Sequence, residues 1–211
     1  MSMHPHQIPP NIANRLRSCR KRIQQKLVNG YLITNWADQF YMTGFNGTDG
    51  AALILPRQVY LLTDGRFEEE AEVSTPWARS VIRQGPLPET LAKIVKRHRI
   101  QRLGFQPEYL TVGTLAKLRR VLRPARMVAL PSVVGQLRLI KDDSEVTAIK
   151  KAIRVAESAF RAVLRRIRLG ITERQLAALL QHEMLDRGAE EASFPIIVAA
   201  GANSSRPHAQ P

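Results

Sequence analysis

Several kinds of residue and segment are scarce in this sequence, and each absence excludes a class of protein. Cys19 is the only cysteine, which excludes an internal disulfide and a cysteine zinc cluster and is typical of a reducing cytosol. No stretch approaches the ~20 consecutive apolar residues that span a bilayer, and the amino terminus lacks the apolar run of a signal peptide. We therefore expect a soluble, cytoplasmic protein with no membrane partner, in which Cys19 is a small core residue.

Acidic residues are also few, with 18 Asp and Glu against 32 Lys and Arg and a net charge of +14. Such an excess raises nucleic acid or an anionic membrane surface as a partner. The alternative is a set of arginine-rich faces in contact with solvent. No aromatic RNA-binding signature or recognition-helix pattern is present, so the sequence favours the solvated faces over nucleic-acid binding.

The length of 211 residues exceeds one ordinary domain of about 100 to 150 residues. Residues 1–13, rich in proline, are interpreted as a disordered tail, although His4 and His6 could contact a metal. An amphipathic helix is predicted from Asn14 to Lys26.

Apolar runs alternate with helical patterns through the first two thirds of the chain. Strands are predicted at residues 31–34, 51–55, 59–63, 78–82, 102–105 and 127–130, and helices at 67–73, 87–98 and 112–122. Residues 35–42 are interpreted as a short helical or irregular connection. This alternation argues for a mixed α/β sheet domain over residues 14–134, ending in a linker near Val134. Asp64 and Arg66, where the 51–63 hairpin ends, are interpreted either as ligand-binding groups or as a turn carboxylate and a solvated arginine.

Residues 135–211 have a different organisation. Two capping boxes, beginning at Asp142 and Thr172, predict two amphipathic helices that end at Gly170 and Gly188. An apolar triplet, residues 196–198, then predicts a buried strand, followed by a glycine turn and His208. A strand that delivers a polar loop with one imidazole is a common way to build an active-site wall.

His208 is therefore a candidate active-site residue. The other histidine of this region, His182, lies off the apolar stripe of its helix and is interpreted as a surface residue.

Six short runs, in this order, resemble the Xaa-Pro aminopeptidase, prolidase and creatinase family (metallopeptidase family M24). Phenylalanine stands at position 67, where the family more often has tyrosine. The runs are residues 43–47, 62–67, 137–145, 149–153, 170–173 and 201–208. The resemblance implies an α/β fold, with a creatinase-type amino-terminal mixed-sheet domain followed by the first part, two helices and a strand, of a pita-bread catalytic domain over residues 135–211.

The resemblance also implies a chemistry, the hydrolysis of the peptide bond before proline in proline-containing peptides. In the family two divalent metals, manganese, cobalt or zinc, activate a bridging water and polarise the scissile carbonyl. The position matching His208 lines the substrate pocket, and homodimers are usual. All five metal ligands of the family follow that position, so we expect this chain to end before the metal site, to contain no metal-binding residue and to be inactive as given.

Two other functions stay open at this point. One is a non-catalytic interaction or scaffold module derived from the same fold, and the other is nucleic-acid binding through the basic surface. Because one predicted strand cannot form a sheet alone, we also expect residues 135–211 to be poorly ordered or self-associating, and the first domain to fold by itself.

Overall fold

The computed structural model describes residues 7–209 and 211, and the chain divides into two compact units, one ending at Ile140 and one beginning at Lys141. Across the described residues, no helix combines the length and apolar character needed to cross a bilayer. Positions 4 and 6, the two histidines considered above as metal contacts, lie outside the described residues.

A six-stranded mixed sheet forms the centre of the first unit. In chain order its strands are β1 Gly30–Ile33, β2 Gly50–Ile54, β3 Val59–Thr63, β4 Arg79–Ile82, β5 Arg102–Phe105 and β6 Arg126–Ala129. They lie side by side in the order β4-β3-β2-β1-β5-β6, with β2 antiparallel to both its neighbours and the remaining pairs parallel. The predicted mixed sheet is confirmed.

Helices cover both faces of this sheet. They are α1 Pro10–Gln25, α2 Trp36–Thr43, α3 Glu68–Ser74, α4 Leu87–Arg97, α5 Val112–Val121 and α6 Val133–Arg138. Alternation along the strands divides the core in two: Tyr31 and Ile33 join the cluster beneath α1 and α6, whereas Leu32 joins the cluster beneath α4 and α5. Because both faces are buried, the central strands are apolar throughout.

The first helix begins earlier than the sequence predicts. It starts at Pro10, and Ile12 is already in the core, so the predicted disordered tail is wrong from residue 10 onward. Proline is favoured at the first helical position, where its missing N–H is not needed. Cys19 is fully buried on the inner face of this helix, as predicted.

A helix also replaces the predicted linker. Residues 133–138 form α6, and Val133 and Val134 pack in the core that α1 covers. The first unit therefore continues to Ile140, six residues beyond the position chosen from the sequence. Pro131 and Gly135 are typical of a turn, which is why a linker was predicted here. The burial of the two valines in the core favours a packed helix instead.

The second unit contains two packed helices, α7 Asp143–Leu164 and α8 Glu173–Asp186. Both begin with a complete capping box, at Asp142 and at Thr172, as predicted. The predicted strand at residues 196–198 is wrong, since this segment has no regular structure. A strand needs a hydrogen-bonded neighbour, and no strand lies in the described part of this unit.

Candidate functional site

The loop that carries His208 is fastened to the start of α8. Glu173, in the first turn of that helix, accepts hydrogen bonds from the backbone N–H of Ala200 at 2.6 Å and from Nδ2 of Asn203 at 2.8 Å. Residues 201–205 then form a short 3₁₀ helix. Because the capping box fixes the first turn of α8 and Glu173 holds two points of the loop, the polar loop has a defined position within the second unit.

His208 itself is exposed at the end of this loop. Its imidazole makes no hydrogen bond or ion pair with any other residue that the structure describes. A groove of about 720 Å³ lies between α8 and residues 191–196, and His208 is not among its described lining residues. The imidazole can therefore offer a hydrogen bond to a ligand, but no neighbouring acid or base in the described chain orients it.

His182 is a surface residue, as predicted. Its side chain is 65% exposed and lies 3.2 Å from the carboxylate of Asp186, one turn along α8. The pair lies on the helix surface and has no further partner among the described residues.

Asp64 and Arg66, the other candidate ligand groups, are paired with each other. Arg66 donates to both carboxylate oxygens of Asp64 and, at 3.0 Å, to Asp49. Arg83 closes the cluster, since its guanidinium contacts Asp49 and lies 3.8 Å from Asp64. Two carboxylates and two guanidiniums thus neutralise one another.

The side-chain hydrogen bonds from Arg66 hold the pKa of Asp64 well below its usual range. The arrangement favours the interpretation as turn residues over ligand binding, and it joins the ends of β2, β3 and β4. The sequence did not indicate that Asp49 and Arg83 belong to this cluster. Asp49 precedes β2 and Arg83 follows β4, so the two residues are distant in the chain.

Asp38 is a buried carboxylate that the sequence did not indicate. It is 2% exposed and accepts hydrogen bonds from Nη1 of Arg138 at 2.7 Å and from Nε2 of Gln106 at 2.5 Å. Tyr41, on the same helix α2, donates its hydroxyl to the carbonyl of Leu137 at 3.3 Å. The first two residues of the 137–145 motif therefore hold α6 against α2 and the sheet, a structural role.

The rest of that motif is explained by helix capping. Asp142 accepts from the backbone N–H of Glu145, and Glu145 accepts from the backbone N–H of Asp142, at 3.0 Å each. In the described part of the chain, no group of three or more histidine, cysteine, aspartate or glutamate side chains lies close enough together to hold a metal ion.

Comparisons with known proteins cover both units. The model of the creatinase/prolidase N-terminal domain matches residues 15–140, and that of metallopeptidase family M24 matches residues 147–211. The uncharacterized peptidase YqhT of Bacillus subtilis is 36% identical over 194 residues, which are 92% of this chain and 55% of that protein. This chain thus spans about half the length of such relatives.

Solved structures agree with this assignment. The Xaa-Pro dipeptidase from Bacillus anthracis has a TM-score of 0.88 at 33% identity, over 94% of this chain and 56% of that one. The N-terminal domain of the cytoplasmic peptidase PepQ from Mycobacterium tuberculosis has a TM-score of 0.56 at 26% identity, over 59% of this chain and 98% of that one. Since the first family model alone matches more than half of the residues, the chain belongs to the Xaa-Pro aminopeptidase, prolidase and creatinase family of metallopeptidases.

Proposed function

We propose that this chain supplies the amino-terminal domain and the first catalytic-domain elements of a Xaa-Pro metallopeptidase, which hydrolyses the bond before proline in peptides. The observation that carries the proposal is the match of both family models, in order, along one chain. The relative from Bacillus anthracis, similar over 94% of this chain, is a Xaa-Pro dipeptidase. The cytoplasm is the proposed location, since one of the similar structures is of a cytoplasmic peptidase.

His208 is the proposed substrate-pocket residue. It follows a loop that Glu173 anchors at two points, and its exposed imidazole is accessible to a peptide. A hydrogen-bond donor placed where negative charge develops stabilises the transition state of carbonyl addition. In this role His208 binds and orients the scissile carbonyl and does not activate the water.

The described residues do not provide the donor set for two divalent metals, because they gather no group of three ligand-type side chains. We therefore assign manganese, cobalt or zinc binding to residues other than these, and we expect residues 1–211 alone to hydrolyse no peptide. Homodimerisation, by analogy with the family, is part of the same proposal.

A chimera tests this function directly. Residues 1–211 are fused to the remaining part of the Bacillus anthracis Xaa-Pro dipeptidase, and hydrolysis of dipeptides with carboxyl-terminal proline is measured with Mn²⁺ present. We expect the chimera to cleave these dipeptides and residues 1–211 to leave them intact. A folded, monodisperse chimera without activity would overturn the proposal.

Two histidine variants of the chimera then test the residue assignment. His208→Ala should lower kcat by about 100-fold, the cost of losing one such hydrogen-bond donor. His182→Ala, a surface histidine of the same unit, is the matched control and should keep kcat within about twofold, as exposed positions away from the site do. Equal activities of the two variants would remove His208 from the pocket.

A further inference from the structure

Residues 93–126 of the first unit carry a large group of positive charges that no acid of the described chain neutralises. This segment contains ten Lys and Arg residues and a single acid, Glu108. None of the ten cations forms an ion pair with any residue among 7–209 and 211. Like charges held together repel, so this concentration does not stabilise the fold and needs another explanation.

Five of these cations line one groove of about 850 Å³, between the carboxyl ends of α4 and α5 and the first residues of β5 and β6. We call it the basic groove; its cations are Lys96, Arg99, Arg102, Arg123 and Arg126. No acid is among its described lining residues. The floor is apolar and buried, formed by Val95, Ile100, Leu122 and Ala125.

Helix capping accounts for only part of this charge. Lys96 lies in the last turn of α4, where a cation interacts favourably with the unpaired carbonyls at the helix end. The four arginines follow the helix ends, in connections or strands. Arg99 and Arg123 lie within two residues of the ends of α4 and α5, so the helix dipoles favour them as well. Arg102 and Arg126, by contrast, lie in β5 and β6, away from those ends.

The sheet holds the base of the groove rigidly. The backbone N–H of Arg126 donates to the carbonyl of Gln101 at 2.8 Å, and that of Arg102 donates to Oδ1 of Asn29 at 3.1 Å. The side chain of Arg102 is oriented as well, since its Nε donates to the carbonyl of Leu27 at 2.8 Å. Groups fixed in this way lose little further freedom when a ligand binds.

This chemistry selects a class of ligand. Guanidinium groups bind phosphate oxygens in a bidentate manner, and an apolar floor accommodates an organic group in pockets of roughly 300 to 1,000 Å³. Proteins that bind single-stranded nucleic acid stack bases on aromatic side chains, but none of the described lining residues is aromatic.

We propose that the basic groove binds a nucleoside polyphosphate, with the phosphates against the arginines and the base on the apolar floor. The site goes beyond the peptidase function proposed above and does not depend on it. The groove belongs to the first unit, at the amino ends of β5 and β6, whereas His208 belongs to the second unit.

Isothermal titration calorimetry of the 211-residue chain with ATP at low ionic strength tests the proposal. We expect saturable one-to-one binding that weakens as salt is added, because the partners carry opposite charges. AMP and inorganic triphosphate should each bind about tenfold more weakly than ATP or worse, since AMP lacks the two outer phosphates and triphosphate lacks the base.

A matched pair of double variants locates the site. Lys96→Gln with Arg123→Gln should weaken ATP binding about tenfold or more, because two charged phosphate contacts are lost. Lys151→Gln with Arg154→Gln removes the same charges from the exposed surface of α7 and should change the affinity less than about twofold. Thermal melts verify that both variants are folded.

Three results would overturn the proposal. One is the absence of saturable ATP binding to the folded protein, and another is an equal loss of affinity in the two double variants. The third is tighter binding of a short single-stranded RNA than of ATP, with competition between them, which would make the groove part of a nucleic-acid surface.

Discussion

The two units of this protein bury their apolar residues to very different extents, although both have clear apolar periodicity. In the first unit the central strands and the inner faces of α1, α4 and α5 form two continuous clusters, and Leu53 on β2 has no exposed surface. In the second unit α7 buries Ala159 and Val163, yet Ile153 and Phe160 stay 51% and 54% exposed.

The difference shows what an amphipathic pattern specifies and what it does not. Periodicity and capping boxes are local, so they determine where a helix forms and which of its faces is apolar. Burial also needs a partner surface, which the six-stranded sheet provides in the first unit. The two helices of the second unit cover one another only in part, so we expect the first unit to account for most of the cooperative stability.

The largest expected effect on this contrast comes from the same substitution, Leu to Ala, made once in each unit. Leu53→Ala, in the core, should lower the free energy of unfolding by about 3 kcal/mol, through lost burial and a residual cavity. Leu164→Ala, at a position 47% exposed, should cost less than about 1 kcal/mol.

Urea unfolding followed by tryptophan fluorescence measures the loss in Leu53→Ala, since the two tryptophans, Trp36 and Trp77, lie in the first unit. Far-ultraviolet circular dichroism, to which α7 and α8 also contribute, measures the loss in Leu164→Ala. Similar losses for the two variants would contradict the contrast between the units.

A smaller effect is expected at the buried carboxylates, one in each unit. Asp38→Asn removes the charge that binds Arg138 and should lower the stability of the first unit by about 2 kcal/mol, as for other buried charged hydrogen bonds. Glu183 is buried as well, with Arg166 at 2.7 Å and Arg187 as its ion-pair partners.

Glu183→Gln should speed amide exchange in α8 and leave the tryptophan transition within about 0.5 kcal/mol, because distant sites act independently. A shift of that transition as large as the one in Asp38→Asn would mean that the two units unfold together.

The smallest test uses pH and the single thiol. Burial raises the pKa of Cys19 from 9.0 to about 12, so the folded chain keeps a proton that the unfolded chain releases. Stability from this group is full below pH 9 and falls as the pH rises toward 12, by up to about 1.4 kcal/mol per pH unit.

Cys19→Ala should lessen this alkaline loss, as urea midpoints at pH 8 and pH 10 will show. Burial also raises the pKa of Tyr31, so this hydroxyl contributes to the loss that remains at pH 10. Identical pH dependence of the variant and the natural chain would show that the thiol ionises freely in the folded state.

Features that depend on neighbouring residues were predictable from the sequence. Both capping boxes were predicted from spacing alone, and both are present. The hairpin of β2 and β3 and the alternating helices followed from short apolar runs between turn residues, which is why the α/β fold of the first unit could be predicted.

Features that depend on distant residues were not predictable. Asp38 meets Arg138, a hundred residues later in the chain, and no local pattern joins them. The apolar triplet at residues 196–198 has the composition of a strand but lacks a strand neighbour in the described part of its unit. Composition alone therefore led to a wrong strand prediction. For the site, the sequence indicated the loop of His208, whereas the anchoring by Glu173 required the structure.

Hydrogen exchange measured by mass spectrometry on the monomeric chain tests the central claim most directly. If the first unit is the cooperative core, amides of β1, β2 and β5 should exchange only by global unfolding, and those of α7 and α8 should exchange about a hundredfold faster or more by local opening. Equal protection on both sides of Ile140, in a monodisperse monomer, would contradict the account.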